Sequence, residues 1–205
     1  MLKANFITAQ EAAEKIQDGS TLCTIGMTLV SASESILKAI EKRFETVGHP
    51  ADITLVHSCG QSDRKDGIQH LAHEGLVKRI VGSHWGLQPR WMEMIANSQV
   101  EAYCLPQGQI AQLYRSMACG LPGKMSKVGL GTFIDPRVEG GKMNDRTKPL
   151  PDLVDILEYG GEEYMFYKEI PLDTVLIRGT VCDEMGNLTT TEEAMKLEVL
   201  PAVLA

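Results

Sequence analysis

The strongest constraint on this chain is a rhythm. Short apolar runs at residues 21–26, 53–57, 77–81 and 100–105 are each followed by a glycine-bearing segment and then by a stretch of helical periodicity. Runs of this length, bounded by turn residues, read as strands. Between the first two, Ile36, Leu37, Ile40 and Phe44 fall on one helical face and Lys38, Glu41, Lys42 and Arg43 on the other, until Gly48 and Pro50 stop the helix. Residues 68–75 read as a short helix, 89–96 as a helix with Pro89 in its first turn, and 109–119 as a helix carrying Ile110, Leu113, Tyr114 and Met117 on one face. Strands separated by helices need crossover connections. The expected fold is therefore α/β, an open and mainly parallel sheet with helices on both faces.

Outside the rhythm, Thr8 to Glu11 spells a capping box that opens a short first helix, which Asp18-Gly19 ends. Residues 120–170 form a Gly/Pro-rich loop or sub-lobe. Within it residues 153–157 read as helical or irregular and 164–167 as a strand, and beyond it 174–177 reads as a further strand. Asn187 lies in a turn, and a second capping box, Thr190 to Glu193, predicts a helix through Leu200. That helix has no glycine cap and no charged tail. The expectation is one domain over residues 1–205, truncated at its carboxyl end.

The 205 residues carry a net charge of −7 without a basic block, which argues against a nucleic-acid partner. Five cysteines with no C-x-x-C spacing, and no apolar run near the roughly 18 residues of a membrane span, point to a reduced, cytoplasmic protein with no membrane partner.

In a parallel sheet the segments after each strand emerge at one edge, where open α/β sheets bind ligands. Here these are Gly26-Met27-Thr28, Ser58-Cys59-Gly60-Gln61-Ser62, Gly82-Ser83-His84-Trp85-Gly86 and Pro106-Gln107-Gly108-Gln109. Glycine lets a ligand approach the backbone, and free N–H groups can hold an oxyanion. Gly26, Met27, Gly60 and Gln61 are therefore candidate residues of a ligand-binding edge, and His84, Trp85, Gln107 and Gly108 candidate lining residues. A dinucleotide fingerprint is absent, and Gly120 to Met125 lacks the spacing, the hydroxyl and the preceding strand of a P-loop. His70 and His73, with Glu74 adjacent, lack an evident third ligand. They read as solvated or capping residues, and no metal is expected. Cys59 has no base beside it in sequence and reads as a small buried hydrophobe.

These segments together resemble the fused class I coenzyme A-transferases of the propionate and acetoacetate type. The resemblance rests on residues 54–61 (TLVHSCGQ), His73-Glu74-Gly75-Leu76, Gly82 to Gly86, Leu105 to Gly108, the run GLGTF-x-DPR-x-EGGK from Gly129 to Lys142, Gly161 to Tyr164 and Ile177 to Thr180. It implies a ribose-isomerase/CoA-transferase-like fold and two homologous halves per active unit. In that family a glutamate of the second half attacks the acyl-CoA thioester. The resemblance thus implies that this chain is the first (alpha) half, contributing an acyl pocket and oxyanion hole at Gly26, Met27, Gly60 and Gln61. Its nucleophile would lie elsewhere, and its partners would be a second (beta) half and further copies in a homo-oligomer. Coenzyme A thioester is the implied substrate, with no permanently bound cofactor. The family's first loop is richer in glycine and carries a proline before its glutamate. Here Glu34 keeps its place while the later glycines and the proline are missing. Glu158-Tyr159-Gly160 matches the spelling around the family nucleophile but lies in first-half sequence, so Glu158 reads as coincidence. The competing readings are an inert fragment, or a sugar-phosphate isomerase or ligand-sensing domain on the same fold. An isomerase base would have to be Asp63 or Asp66, the carboxylates of the post-strand loops.

Overall fold

The computed structural model describes residues 3–205. Strands β1 (Thr21–Thr24), β2 (Ile53–His57), β3 (Val77–Gly82) and β4 (Glu101–Cys104) form a sheet with the later strand β8 (Thr174–Leu176) in the order β4-β3-β2-β1-β8. Every pairing in it is parallel. Helices α1 (Ala9–Glu14), α2 (Glu34–Val47), α3 (Pro89–Ala96) and α4 (Gln107–Ala118) alternate with the strands as the rhythm requires. Residues expected to be helical over 68–75 form instead a single 3-10 turn, Gly67–Leu71.

Successive side chains of a strand point to opposite faces, and here they build two cores. Leu22, Leu55, Ile80 and Ala102 face a layer containing Leu37 and Ile40 of α2 and Trp91 and Ile95 of α3. Their neighbours Cys23, Val56, Val81 and Tyr103 face Ile110 and Tyr114 of α4 together with Val154, Met165 and Tyr167. A strand buried on both faces has no polar alternation, which is why these runs are continuously apolar in sequence.

The Gly/Pro-rich region holds more regular structure than the sequence suggests. Strands β5 (Gly123–Ser126), β6 (Val154–Tyr159) and β7 (Glu162–Lys168) form a separate antiparallel sheet in the order β5-β7-β6. The expectation of helical or irregular structure over 153–157 is thus corrected. Only Val154 of β6 is fully buried and the rest of the strand is mostly solvated, so its apolar residues never produced a convincing period. Gly160 and Gly161, at φ +64 and +79, make the hairpin turn.

The long motif from Gly129 to Lys142 is a structural staple. Asp135, buried, accepts hydrogen bonds from the Gly131 and Arg137 amides at 2.9 and 3.0 Å and a two-pronged pair from the Arg137 guanidinium at 2.8 and 3.0 Å. The Arg137 guanidinium bonds first, and the amides after it, outweigh burial and hold this carboxyl well below the ordinary range. The loop so folded covers the edge of β4, with Cys104 N–H donating to Gly141 O at 2.8 Å and a bridge joining Tyr103 to Lys142. Asp135→Ala leaves two amides without acceptors. It is expected to cost about 2 kcal/mol in urea denaturation, and a loss under about 0.5 kcal/mol would show the staple to be dispensable.

The capping box at Thr8 forms as expected, Thr8 and Glu11 exchanging hydrogen bonds at 2.7 and 3.2 Å. The one at Thr190 does not. The Glu193 carboxylate instead accepts from Ser31 Oγ at 3.2 Å and from Arg178 Nε at 3.1 Å, so no helix starts there. Strands β9 (Val181–Cys182) and β10 (Leu188–Thr189) make a small hairpin around the Asn187 turn. The helix α5 follows only at Val199–Leu204, with Pro201 in its first turn, where no intrahelical N–H bond is lost. No helix of the described residues is long and apolar enough to cross a membrane.

Candidate functional site

The post-strand loops gather at one rim. The Thr28 N–H donates to Gly60 O at 2.8 Å, which ties the first loop to the second. A side chain at Gly26 would stand 3.2 Å from Gln61 Oε1, and one at Gly60 would stand 2.7 Å from His84 Nδ1 and 2.8 Å from Gln88 Nε2. Gly26, Gly60, Gln61 and His84 are therefore neighbours, and the glycines are required by the closeness of these polar side chains. Gln61 is fully buried. Its Nε2 donates to Thr24 O at 2.7 Å, while Oε1 has no partner within the chain.

The first loop turns tightly, with Met27 and Val30 exchanging backbone hydrogen bonds at 3.0 and 2.9 Å. The Met27 N–H expected to face an oxyanion is thus engaged with Val30 O in this conformation. Thr28 and Ser31 lie at φ +53 and +59, the left-handed region. These are positions where a glycine-rich loop would be unstrained. The missing glycines noted in sequence correspond to backbone held at a cost of roughly 1–2 kcal/mol per residue.

His84 is exposed, whereas Trp85 is buried and packs edge-to-face on His57, with ring centroids 5.1 Å apart. Trp85 thus packs behind the rim rather than lining it. Gln107, at the start of α4, stands beside Cys59, and Gly108 has open space around it. Burial, reinforced by Glu198, pushes the Cys59 thiol up, the opposite of an activated nucleophile.

Sequence reasoning missed His57, the last residue of β2. It is fully buried, and its Nδ1–H donates to Cys59 O at 2.8 Å, fixing the second loop from behind. Burial lowers its pKa to about 4, so the ring is neutral near pH 7. A lone histidine ending an apolar strand carries no signal of this kind.

Residues 193–198 cross the same rim. Ser31 Oγ reaches Glu193 and the Met195 carbonyl, each at 3.2 Å, and Ser58 Oγ donates to Glu198 Oε2 at 3.2 Å. Beside them a cleft of about 400 Å³ opens between the start of α2, with Ser33 and Ser35, and Arg178 and Gly179. Glu158 is exposed, opposite Glu163 in the β6–β7 hairpin, and belongs to the antiparallel sheet rather than to the parallel one. Asp63 caps the Lys65 and Asp66 amides at 3.0 Å each, and Asp66 is paired with Lys38 at 3.3 Å. Neither is a free base at the rim.

His70 and His73 do not stand alone. The third ligands absent from the sequence around them come from α2, as Glu34 and Glu41 both reach His70 and Glu41 also reaches His73.

Comparison with known proteins agrees with the resemblance. The model of the family described as "Coenzyme A transferase" matches residues 6–203. Caffeate CoA-transferase of Acetobacterium woodii is 44% identical over 191 residues, which is 93% of this chain but 36% of that protein. The crystal structure of the acyl-CoA transferase YdiF apoenzyme from Escherichia coli O157:H7 superposes with a TM-score of 0.95 at 36% identity, covering 99% of this chain and 39% of that one. The same protein as a thioester complex with CoA gives 0.93. A shorter relative, the acetate CoA-transferase subunit alpha of Escherichia coli K12, is 25% identical over the whole of this chain and 83% of its own length. The chain therefore spans little more than a third of the longer relatives and most of a subunit alpha.

Proposed function

Because the chain belongs to the coenzyme A transferase family, we propose that it is the amino-terminal (alpha) half of an acyl-CoA:carboxylate CoA-transferase acting on short-chain or 3-ketoacyl thioesters. The observation that carries this reading is the convergence of Gly26, Gly60, Gln61 and His84 at one rim whose own carboxylates are engaged. Glu193 is held by Ser31 and Arg178, and Glu198 by Ser58. The rim carries glycine at two positions where Gln61, His84 and Gln88 stand close, and it offers no free nucleophile.

The reaction needs a carboxylate from the second half. Its oxygen attacks the thioester carbonyl, the C–S bond breaks, and CoA leaves as the thiolate, giving an acyl-glutamyl anhydride. The thiolate then attacks the glutamyl carbonyl and releases the acyl carboxylate. A new carboxylate reverses the two steps. This chain supplies the wall around the acyl group: Gly26 and Gly60 let Gln61, His84 and Gln88 pack close, Gln61 anchors to the end of β1 at the Thr24 carbonyl, and Gln107 and Gly108 border the opening. The Gly26-Met27 backbone serves as oxyanion donor once the Met27–Val30 turn opens, a motion the strained Thr28 and Ser31 favour. A second (beta) half, further copies of the chain and a cytoplasmic setting complete the proposal. The exposed Leu121, Val128, Phe133 and Val138 of the 120–170 sub-lobe fit such assembly.

Transfer of CoA from acetyl-CoA to labelled propionate tests this. The 205-residue chain alone is expected to be inactive, and co-expression with a matching second half to restore exchange. Exchange by the chain alone that survives Glu158→Ala would mean a nucleophile of its own and end the two-half reading. Loss of such exchange in Glu158→Ala would instead make Glu158 the nucleophile.

A further inference from the structure

Behind the rim, one face of α2 meets the loop that follows the second strand. Glu41 and Glu45 are four residues apart on α2 and so project from the same face. His73, just beyond the 3-10 turn, completes a set in which one donor atom from each residue lies within 4.8 Å of the others. We propose that Glu41, Glu45 and His73 bind a divalent transition-metal ion. One imidazole and two carboxylates suit Zn²⁺, with water filling the open position.

Two features distinguish this set from an ordinary ion-pair seam. Its donors are oriented from behind. His73 Nε2 lies 2.9 Å from Glu41 Oε1, while the other Glu41 oxygen is held by His70 Nδ1, and His70 Nε2 is in turn held by Glu34 at 2.9 Å. The Phe44 ring packs against His73 with centroids 5.9 Å apart. Outer-layer hydrogen bonds that fix a ligand's orientation are typical of metal centres.

Charge is the second feature. The neighbouring set Glu34, Asp66 and His70 already contains a cation, since Lys38 Nζ lies 3.0 Å from Glu34 and 3.3 Å from Asp66. Of permanent cations the Glu41–Glu45–His73 set has only the half-exposed Arg90, 3.5 Å from Glu41, beside the His70 and His73 imidazoles that also reach Glu41, and Glu45 has no cationic partner among the described residues. A divalent ion would supply positive charge beside Glu45, which none of these partners reaches. It would also pin α2, which starts where the first loop ends, to the segment that follows the second loop. Both rim loops would then be braced from outside the acyl pocket. The inference stands whether or not the transferase reading holds.

Calorimetric titration of the metal-stripped 205-residue chain with Zn²⁺ tests it, together with thermal unfolding and zinc-edge X-ray absorption. The expected result is one ion per chain and a shell of N and O donors at about 2.0–2.1 Å. A rise of about 5 °C in unfolding midpoint is expected at a hundredfold excess over Kd. Binding should weaken at least tenfold in Glu45→Gln, an exposed helix position whose change spares the fold, and vanish in His73→Ala. Absence of saturable binding overturns the proposal. So does binding that both variants retain, or sulfur in the shell, which would place the ion on the cysteines.

Discussion

Gly67→Ala is expected to destabilise the chain by about 4 kcal/mol, or to prevent its folding. Gly67 sits at φ +76, and a β-carbon there would fall 2.0 Å from the Gln61 carbonyl oxygen and 2.9 Å from its carbon. The conformation alone costs an L-residue roughly 1–2 kcal/mol. The clash is with backbone, so no rotamer change relieves it. The position is also held on both sides: Gly67 N–H donates to Glu34 at 2.9 Å, and Ile68 N–H donates to the same Gln61 carbonyl at 2.9 Å. Relief would require moving Gln61 and with it the first loop. Gly108→Ala is the matched control, since that glycine lies in α4 with open space around it, and alanine there should be neutral or stabilising by up to about 1 kcal/mol. Urea denaturation of the two variants gives the comparison. A Gly67→Ala protein within 1 kcal/mol of the parent would mean that the second loop is not clamped as described.

That contrast also marks what a sequence can carry. The four parallel strands were legible because burial on both faces makes them continuously apolar and because glycines punctuate their ends. The same physics brought Gly26, Gly60 and Gln61 to one edge. Strand β6 escaped notice because only its first residue is buried and the rest of it lies on a partly solvated sheet. The Thr190 capping box misled because capping is local while Glu193 found a distant partner pair, Ser31 and Arg178, more than a hundred residues back in the first case. His70 and His73 read as isolated for the same reason, their partners lying 29 to 36 residues away on α2. The GLGTF-x-DPR-x-EGGK run was the most specific signal in the chain, yet its clearest role is structural. Asp135 folds the loop, and the loop covers the β4 edge. A motif can identify a family without containing its chemistry.

His57 carries the second large effect, which appears only as pH changes. Its pKa falls from an ordinary 6.5 to about 4 because burial disfavours the imidazolium, with His84 adding a little and the Cys59 carbonyl working the other way. The unfolded chain therefore binds more protons than the folded one between about pH 6.5 and pH 4. By linkage the folded state loses stability as pH falls through that window. Full stability is present above pH 6.5, and a shift of this size corresponds to a loss of about 3 kcal/mol at pH 4. No hydrogen-bond acceptor among the described residues meets the proton that the ring would gain, since Nε2 is buried without a partner. Protonation would then push His57 out of its seat against Gly82, where a β-carbon would stand 2.4 Å from the ring, and release the Cys59 carbonyl that it holds. The rim should therefore loosen before the rest of the sheet, as faster amide exchange at Cys59 and Gly60. Urea denaturation from pH 7 to pH 4, for the parent and for His57→Gln, isolates the effect, because the carboxylates titrate alike in both. The variant should be less stable at pH 7 and show a flatter pH profile. Parallel profiles for the two proteins would mean that this histidine is already solvated.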